Sequence, residues 1–145
     1  MKYGLSARFT GLDGRDHKFA LDAAQLAEDI GFRTLWNAKY LYHVPVYEST
    51  YPYGGIGHDG PDALRGYYDP VVVLAAVAQV TSTIRLGTYP VIVAHHSPVA
   101  LARTLATLDH MCDGRLDIGV GVGWSKEEYE ALGVPFETRG RRTDE

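Results

Sequence analysis

The sequence predicts a parallel α/β architecture of four consecutive β/α units, the first half of a (β/α)8 barrel. Three observations predict it. Strand-like and helix-like segments alternate along the chain, the pattern of a parallel sheet with right-handed crossovers. The 145 residues divide into units of about 36, and eight such units would need roughly 290, the scale of a full barrel at roughly 250 residues. The last strand alternates apolar residues with glycine and aspartate, whereas an inner strand of an open doubly wound sheet is apolar on both faces.

Each element has a local reason. Lys2–Phe9 reads as a strand bounded by the Gly11–Gly14 turn. A helix follows, with Asp13 as its N-cap and Asp16 three residues on. Phe19, Ala23, Leu26, Ala27 and Ile30 fall on one face at helical spacing, and Gly31 is the expected stop. Phe32–Asn37 reads as the second strand. Residues 38–68 form a long loop holding Pro45, Pro52, Pro61 and seven of the ten tyrosines. Loops of this length are functional or disordered, and the aromatic content favours an ordered, ligand-facing one.

Asp69-Pro70 starts the second helix, with a capping acid and proline at the first helical position. Its inner stripe is Val71, Leu74, Ala75 and Ala78. Ile84–Val93 is a third strand interrupted by Pro90. Ser97-Pro98 repeats the capping device, and Leu101, Leu105 and Leu108 define a third helix that ends by Gly114. Arg115–Val122 is the fourth strand. There Leu116, Ile118, Val120 and Val122 face a helix layer, and Asp117, Gly119, Gly121 and Gly123 line a nearly bare face. Trp124–Leu132 is a short helix or turn capped by Ser125, and Arg139–Glu145 begins another helical segment.

Composition narrows the function. With 46% hydrophobic and 22% charged residues the chain is globular. A net charge of -4 offers no basic stripe for a phosphate backbone, so no nucleic-acid partner is expected. The longest apolar run, Val71–Ala78, is too short to span a bilayer. The N-terminus carries no signal-peptide pattern, and the single Cys112 suits a reducing compartment. The expectation is a cytoplasmic protein with no membrane association.

The strongest motif is Gly119-Val120-Gly121-Val122-Gly123-Trp124 at the end of the fourth strand. Barrel active sites lie at the C-terminal ends of strands, and glycines there expose backbone N–H groups and admit a flat ring or a phosphate. The alternative is that they relieve crowding inside the barrel. The spacing does not fit the dinucleotide fingerprint, because its third glycine position falls on Trp124 or Lys126. Adjacent His95 and His96 would point oppositely from a strand, and no cluster has zinc spacing, so no metal is expected. Cys112 reads as a small buried residue. Glu127, Glu128 and Glu130 read as a solvated face.

Leu86-Gly87-Thr88, Ser97-Pro98, Ala106-Thr107-Leu108-Asp109, Gly114-Arg115-Leu116, the glycine motif and Arg139-Gly140-Arg141-Arg142-Thr143-Asp144-Glu145 occur in that order. Together they resemble the bacterial-luciferase-like oxidoreductases, and most of all their deazaflavin-dependent branch. The resemblance spans nearly the whole chain but only the N-terminal half of the family's barrel. It implies a barrel binding FMN or the deazaflavin coenzyme F420. It also implies hydride transfer or reduced-flavin monooxygenation on a small organic substrate.

By this resemblance the flat ring lies against Thr88, Tyr89, Pro90 and Val91 on one side and Gly121, Gly123 and Trp124 on the other. Glu127 directs a polar group at the cofactor. Many relatives place an acid–histidine pair shortly after the tryptophan equivalent to Trp36. Here Lys39 and Tyr40 stand instead, while His43-Val44-Pro45 matches a following His-Ile/Val-Pro pattern. Lys39, Tyr40 and His43 are therefore the candidate catalytic residues, with His43 as acid or base. Relatives also carry a non-prolyl cis peptide near the end of the third strand. Tyr89-Pro90 stands at the matching place, so a cis X–Pro bulge competes with a trans proline that ends the strand.

Two further readings remain open. A half-length chain could be a non-catalytic assembly module or a cofactor-binding remnant, or else a nucleotide-binding α/β protein. Because a half-barrel leaves its first and fourth strands as open edges, and because Val71–Ala78, Ala100, Ala102 and Ala106 place small and apolar residues on several helix faces, a homodimer or larger homo-oligomer is expected.

Overall fold

The computed structural model describes residues 2–7, 9, 17–38, 41, 44, 47–52 and 67–145. Strands β1 (Gly4–Ala7), β2 (Thr34–Asn37), β3 (Arg85–Ile92) and β4 (Leu116–Gly121) form one sheet in the order β1-β2-β3-β4, and every pairing is parallel. An open doubly wound sheet reverses its strand order at a switch point. This sheet does not reverse, and the chain is a partial (β/α) barrel.

Helices α1 (His17–Asp29), α2 (Pro70–Ala78) and α3 (Pro98–Met111) cover one face of the sheet. Asp69 caps α2 as expected, its carboxylate accepting from Val71 and Val72 N–H. Ser97 precedes α3 without a side-chain capping bond. After β4 come the short α4 (Lys126–Ala131), a 3-10 turn at Phe136–Thr138 and α5 (Arg139–Asp144). Among the described residues no helix is long and apolar enough to cross a membrane.

The core lies between the sheet and this helix layer. Leu35, Leu74, Val77, Ile84, Leu86, Leu108 and Cys112 meet there with Ala20, Ala24 and Ala27 of α1. This corrects the expected inner face of α1: only Ala27 of that set is buried, while Phe19, Leu26 and Ile30 are exposed. Alanines at positions 20, 24 and 27 let the helix approach its neighbours closely, and the larger side chains would hold it off. In α2 the expected stripe holds, with Leu74 and Ala78 buried and Val71 and Ala75 partly buried against the core; Val73 and Val77 are buried beside it and Val72 is exposed.

The opposite face of the sheet carries the glycines. The Trp36 indole lies along it: a Cβ on Gly87 would fall 2.2 Å from the Trp36 ring, one on Gly4 3.1 Å, and one on Gly119 3.7 Å. One side chain of β2 thus reaches over residues of β1, β3 and β4. On β4 the expected burial fails in part. Leu116 packs on the core, but Ile118 and Val120 are 46% and 55% exposed. Among the described residues no helix covers the outer end of this strand.

Candidate functional site

The register of β3 against β4 runs regularly from Leu86 to Thr88 and resumes at Val91 opposite Val120. The Tyr89–Pro90 peptide is cis and lies in this irregularity. The bulge stands at the C-terminal end of the sheet, where barrel active sites lie. It turns Tyr89 outward on the glycine face, 63% exposed, with its ring edge-on to Trp36 at 6.3 Å. Val91 points the other way and is buried.

The glycines of β4 accommodate this bulge. A Cβ on Gly119 would fall 2.4 Å from the Thr88 carbonyl oxygen, and one on Gly121 would meet Pro90 at 2.9 Å and Ile92 at 3.1 Å. Gly123, with φ +79°, lies beside Ile92 and Tyr129. These positions have no room for a side chain because the chain itself occupies the space. Relief of crowding therefore accounts for Gly119 and Gly121 without a ligand.

Two polar side chains at this end lack partners. Asn37 and Thr88 face each other across β2 and β3, are fully buried, and make no hydrogen bond through Asn37 Oδ1 and Nδ2 or Thr88 Oγ1. By alternation along the strands they lie on the helix side with Leu35 and Leu86. Buried polar atoms are nearly always bonded, so this pair is a polar exception within the apolar layer behind the strand ends.

Beyond β4 a cleft of about 710 Å3 opens between Glu48–Pro52, Gly123, Trp124, α4 and Arg139. Tyr47 and Tyr51 pack on Trp124, with ring centroids 5.0 and 5.2 Å away. On the far wall the Arg139 guanidinium lies 3.6 Å above the Phe136 ring, which meets Tyr129 edge-on at 5.5 Å. Tyr129 in turn meets the buried His95 at 4.4 Å and donates its hydroxyl to the Val122 carbonyl. Burial pushes the Tyr129 phenol up.

Glu127 and Glu128 turn towards the long loop after β2. Glu127 Oε1 accepts from the Glu48 and Ser49 N–H groups at 2.7 and 2.8 Å, and Oε2 accepts from the Ser125 hydroxyl at 2.8 Å. Partial burial raises its pKa, but its own N–H, the Ser49 N–H and the Ser125 and Ser49 hydroxyls outweigh burial and hold it at about 2. Glu128, expected on a solvated face, is buried, and its carboxylate accepts from Leu41 N–H. The signal for it was present: Ser125-x-x-Glu128 is a capping-box spacing, and Ser125 Oγ accepts from Glu128 N–H. The carboxylate reaches the distant loop.

The structure thus gathers the expected ring-binding residues in two places. Thr88, Tyr89, Pro90, Val91 and Gly121 form the bulge between β3 and β4. Gly123, Trp124 and Glu127 line the cleft. Lys39, Tyr40 and His43 lie outside the described residues, as does most of the 38–68 loop. Of its described part, Leu41, Tyr47, Glu48, Ser49 and Tyr51 pack beyond the C-terminal end of β4, while Tyr68 packs on the core and donates its N–H to the Phe9 carbonyl. Sequence reasoning missed Asn37, Glu128 and Arg139. An asparagine at a strand end and an arginine in a basic helix carry no distinguishing pattern, whereas for Glu128 the capping-box spacing marks the helix start but not the reach to Leu41.

The chain is 41% identical over 114 residues to an uncharacterized protein of Mycobacterium tuberculosis, covering 78% of this chain and 40% of that protein. Among solved structures it resembles the monooxygenase RslO1 from Streptomyces bottropensis, at 28% identity and TM-score 0.75, covering 99% of this chain and 40% of that one. It also resembles the oxygenating constituent of 3,6-diketocamphane monooxygenase from Pseudomonas putida, solved with FMN, at 18% identity and TM-score 0.71, covering 99% and 37%. A third likeness is to the coenzyme F420 dependent tetrahydromethanopterin reductase from Methanopyrus kandleri, at 24% identity and TM-score 0.62, covering 93% and 30%. The chain spans about two-fifths of the length of these curated relatives. The model of the luciferase-like monooxygenases matches residues 1–145, and the chain belongs to that family.

Proposed function

We propose that this chain supplies the first half of a flavin- or deazaflavin-dependent oxidoreductase, acting by hydride transfer or reduced-flavin monooxygenation on a small organic substrate. The observation that carries this reading is the open cleft at the C-terminal end of β4, walled by Gly123, Trp124 and Glu127. Its volume of about 710 Å3 lies within the range of small-molecule sites.

The residues fit a flat ring with a charged tail, with one shift from the expected position. Pro90 and Ile92 fill the space at Gly121, so the ring would be held farther out, between the exposed Tyr89 and the Gly123–Trp124 backbone. Lys126, paired with Glu130, and Arg139 on the cleft wall would meet the anionic tail that FMN and F420 share, beside the carboxylates of Glu48 and Glu127 on the same wall. The cofactor supplies the redox chemistry when bound. The protein orients it and excludes water. The FMN-bound and F420-dependent relatives support the cofactor class and leave both members of it in play.

A second reading is favoured by the exposed Ile118 and Val120 on β4. These suit a non-catalytic half-barrel that is covered by a second copy, as a homodimer or larger assembly. One set of measurements separates the two readings. The 145-residue chain is titrated with FMN and with F420, following each cofactor's own absorption and fluorescence, and is run in sedimentation at micromolar concentration. Saturable micromolar binding of either cofactor supports the oxidoreductase. An oligomer that binds neither supports the module, and a monomer that binds neither overturns both.

A further inference from the structure

We propose that Glu127 and Glu128 are a positioning pair that fastens the loop after β2 to the end of β4 and so fixes one wall of the cleft. Two adjacent carboxylates accept three backbone N–H groups from residues nearly eighty or more positions away: Leu41 on Glu128, and Glu48 and Ser49 on Glu127. The attachment is reciprocal. Ser49 Oγ accepts from the Lys126 N–H, one of the first-turn amides of α4 that have no partner within the helix. The loop thereby caps the helix while the helix holds the loop. Ser125 braces the pair from below, donating to Glu127 and accepting from the Glu128 N–H.

This arrangement positions the loop without building the core. None of Leu41, Val44 or residues 47–52 belongs to the main apolar cluster. The described loop segment is held by charge-assisted hydrogen bonds, roughly twice as strong as neutral ones, and by the packing of Tyr47 and Tyr51 on Trp124. Glu48, Ser49, Thr50 and Pro52 are cleft wall, so releasing Glu127 releases the wall. In the sequence the attachment points at Leu41 and Glu48 flank His43, and Lys39 and Tyr40 immediately precede the first. The inference rests on the functional reading only where it concerns which ligand the wall confines.

Amide hydrogen exchange on the 145-residue chain, with cofactor titration in parallel, tests it. Glu127→Ala is expected to speed exchange at Glu48 and Ser49 by at least about tenfold, and Glu128→Ala to do the same at Leu41. The β3 amides of Leu86 and Thr88 should keep their wild-type rates. Glu127→Gln, which keeps an acceptor oxygen, should restore part of the protection, and Glu137→Gln, outside the cleft, should change nothing. Where the wild type binds FMN or F420, Glu127→Ala should weaken that binding by about tenfold or more. Unchanged exchange at Glu48 and Ser49, exchange rising equally in β3, or undiminished cofactor binding would each overturn the proposal. Wild-type chain that binds neither cofactor but shows the expected exchange pattern sustains the fastening and counts against the flavin reading alone.

Discussion

The two ends of the sheet are held by different chemistry. At the N-terminal end, charged side chains satisfy backbone groups within the folded body. The Arg115 guanidinium donates to the carbonyls of Cys112, Ile84, Ala78 and Thr81 and to the Thr81 hydroxyl. Glu28 accepts from the N–H groups of Ser82, Thr83 and Ile84. Arg85 and Asp117 pair across β3 and β4, which raises the Arg85 pKa further. At the C-terminal end, Asn37 and Thr88 stay unbonded, and the charged groups hold a loop. One end closes strand starts and the other holds a loop, as expected of a barrel whose stability and function occupy opposite faces.

The largest effect that could break this comparison is expected at Arg115. Arg115→Ala removes five hydrogen bonds and leaves partly buried carbonyls to find water. The chain should lose about 2–4 kcal/mol of stability, read as the shift in urea midpoint at constant slope. A loss below about 1 kcal/mol would mean that water serves those carbonyls equally well, and the N-terminal end would not be the brace described.

Glu28 sharpens the comparison through pH. Burial raises its pKa, but the amides of Ile84, Thr83 and Ser82 and the Thr83 hydroxyl outweigh burial and hold it at about 2 against an ordinary 4.5. A carboxyl depressed in the folded state adds stability that is fully present above its unfolded pKa. That stability drains away as the pH falls from about 4.5 towards 2. Glu28→Gln should therefore lower stability at pH 7 by about 1 kcal/mol, after allowance for partial exposure, and flatten the fall below pH 4.5. Glu127 is depressed to the same value, so the same linkage applies: Glu127→Gln should also lower stability at pH 7 and flatten the fall below pH 4.5, with its faster amide exchange confined to Glu48 and Ser49. Exchange rising in β3 as well would erase the distinction between the ends.

The smallest expected effect carries the opposite sign. Thr88→Val replaces an unbonded, fully buried hydroxyl with a methyl group of similar size. The unliganded chain should gain about 1 kcal/mol, seen as a higher thermal midpoint. A lower midpoint would mean that the hydroxyl is bonded in solution.

Much of the scaffold was legible because it follows local rules. Asp69-Pro70 starts α2, Gly31 and Gly114 take positive φ after α1 and α3, and alternation separates the faces of β4. What failed depended on distance between elements. The alanine face of α1 is chosen by how near its neighbours lie, which periodicity does not encode. The glycines of β4 drew attention as possible ligand contacts. Gly119 and Gly121 instead accommodate a carbonyl and a proline from β3. Glu127 was placed at the right end of the sheet, but its partners lie nearly eighty residues away in a loop without regular structure. The attachment follows from the fold and has no signature of its own.

The position of Trp36 gives the molecule a built-in optical division. The chain has two tryptophans. Trp36 lies across glycines of three strands, and Trp124 stands between two loop tyrosines and the cleft. Emission from a chain carrying only Trp36 would report the sheet coming apart. Emission from one carrying only Trp124 would report the loop lifting away. The order in which the two signals change during denaturation would show whether the strand ends come free while the barrel fragment is still whole.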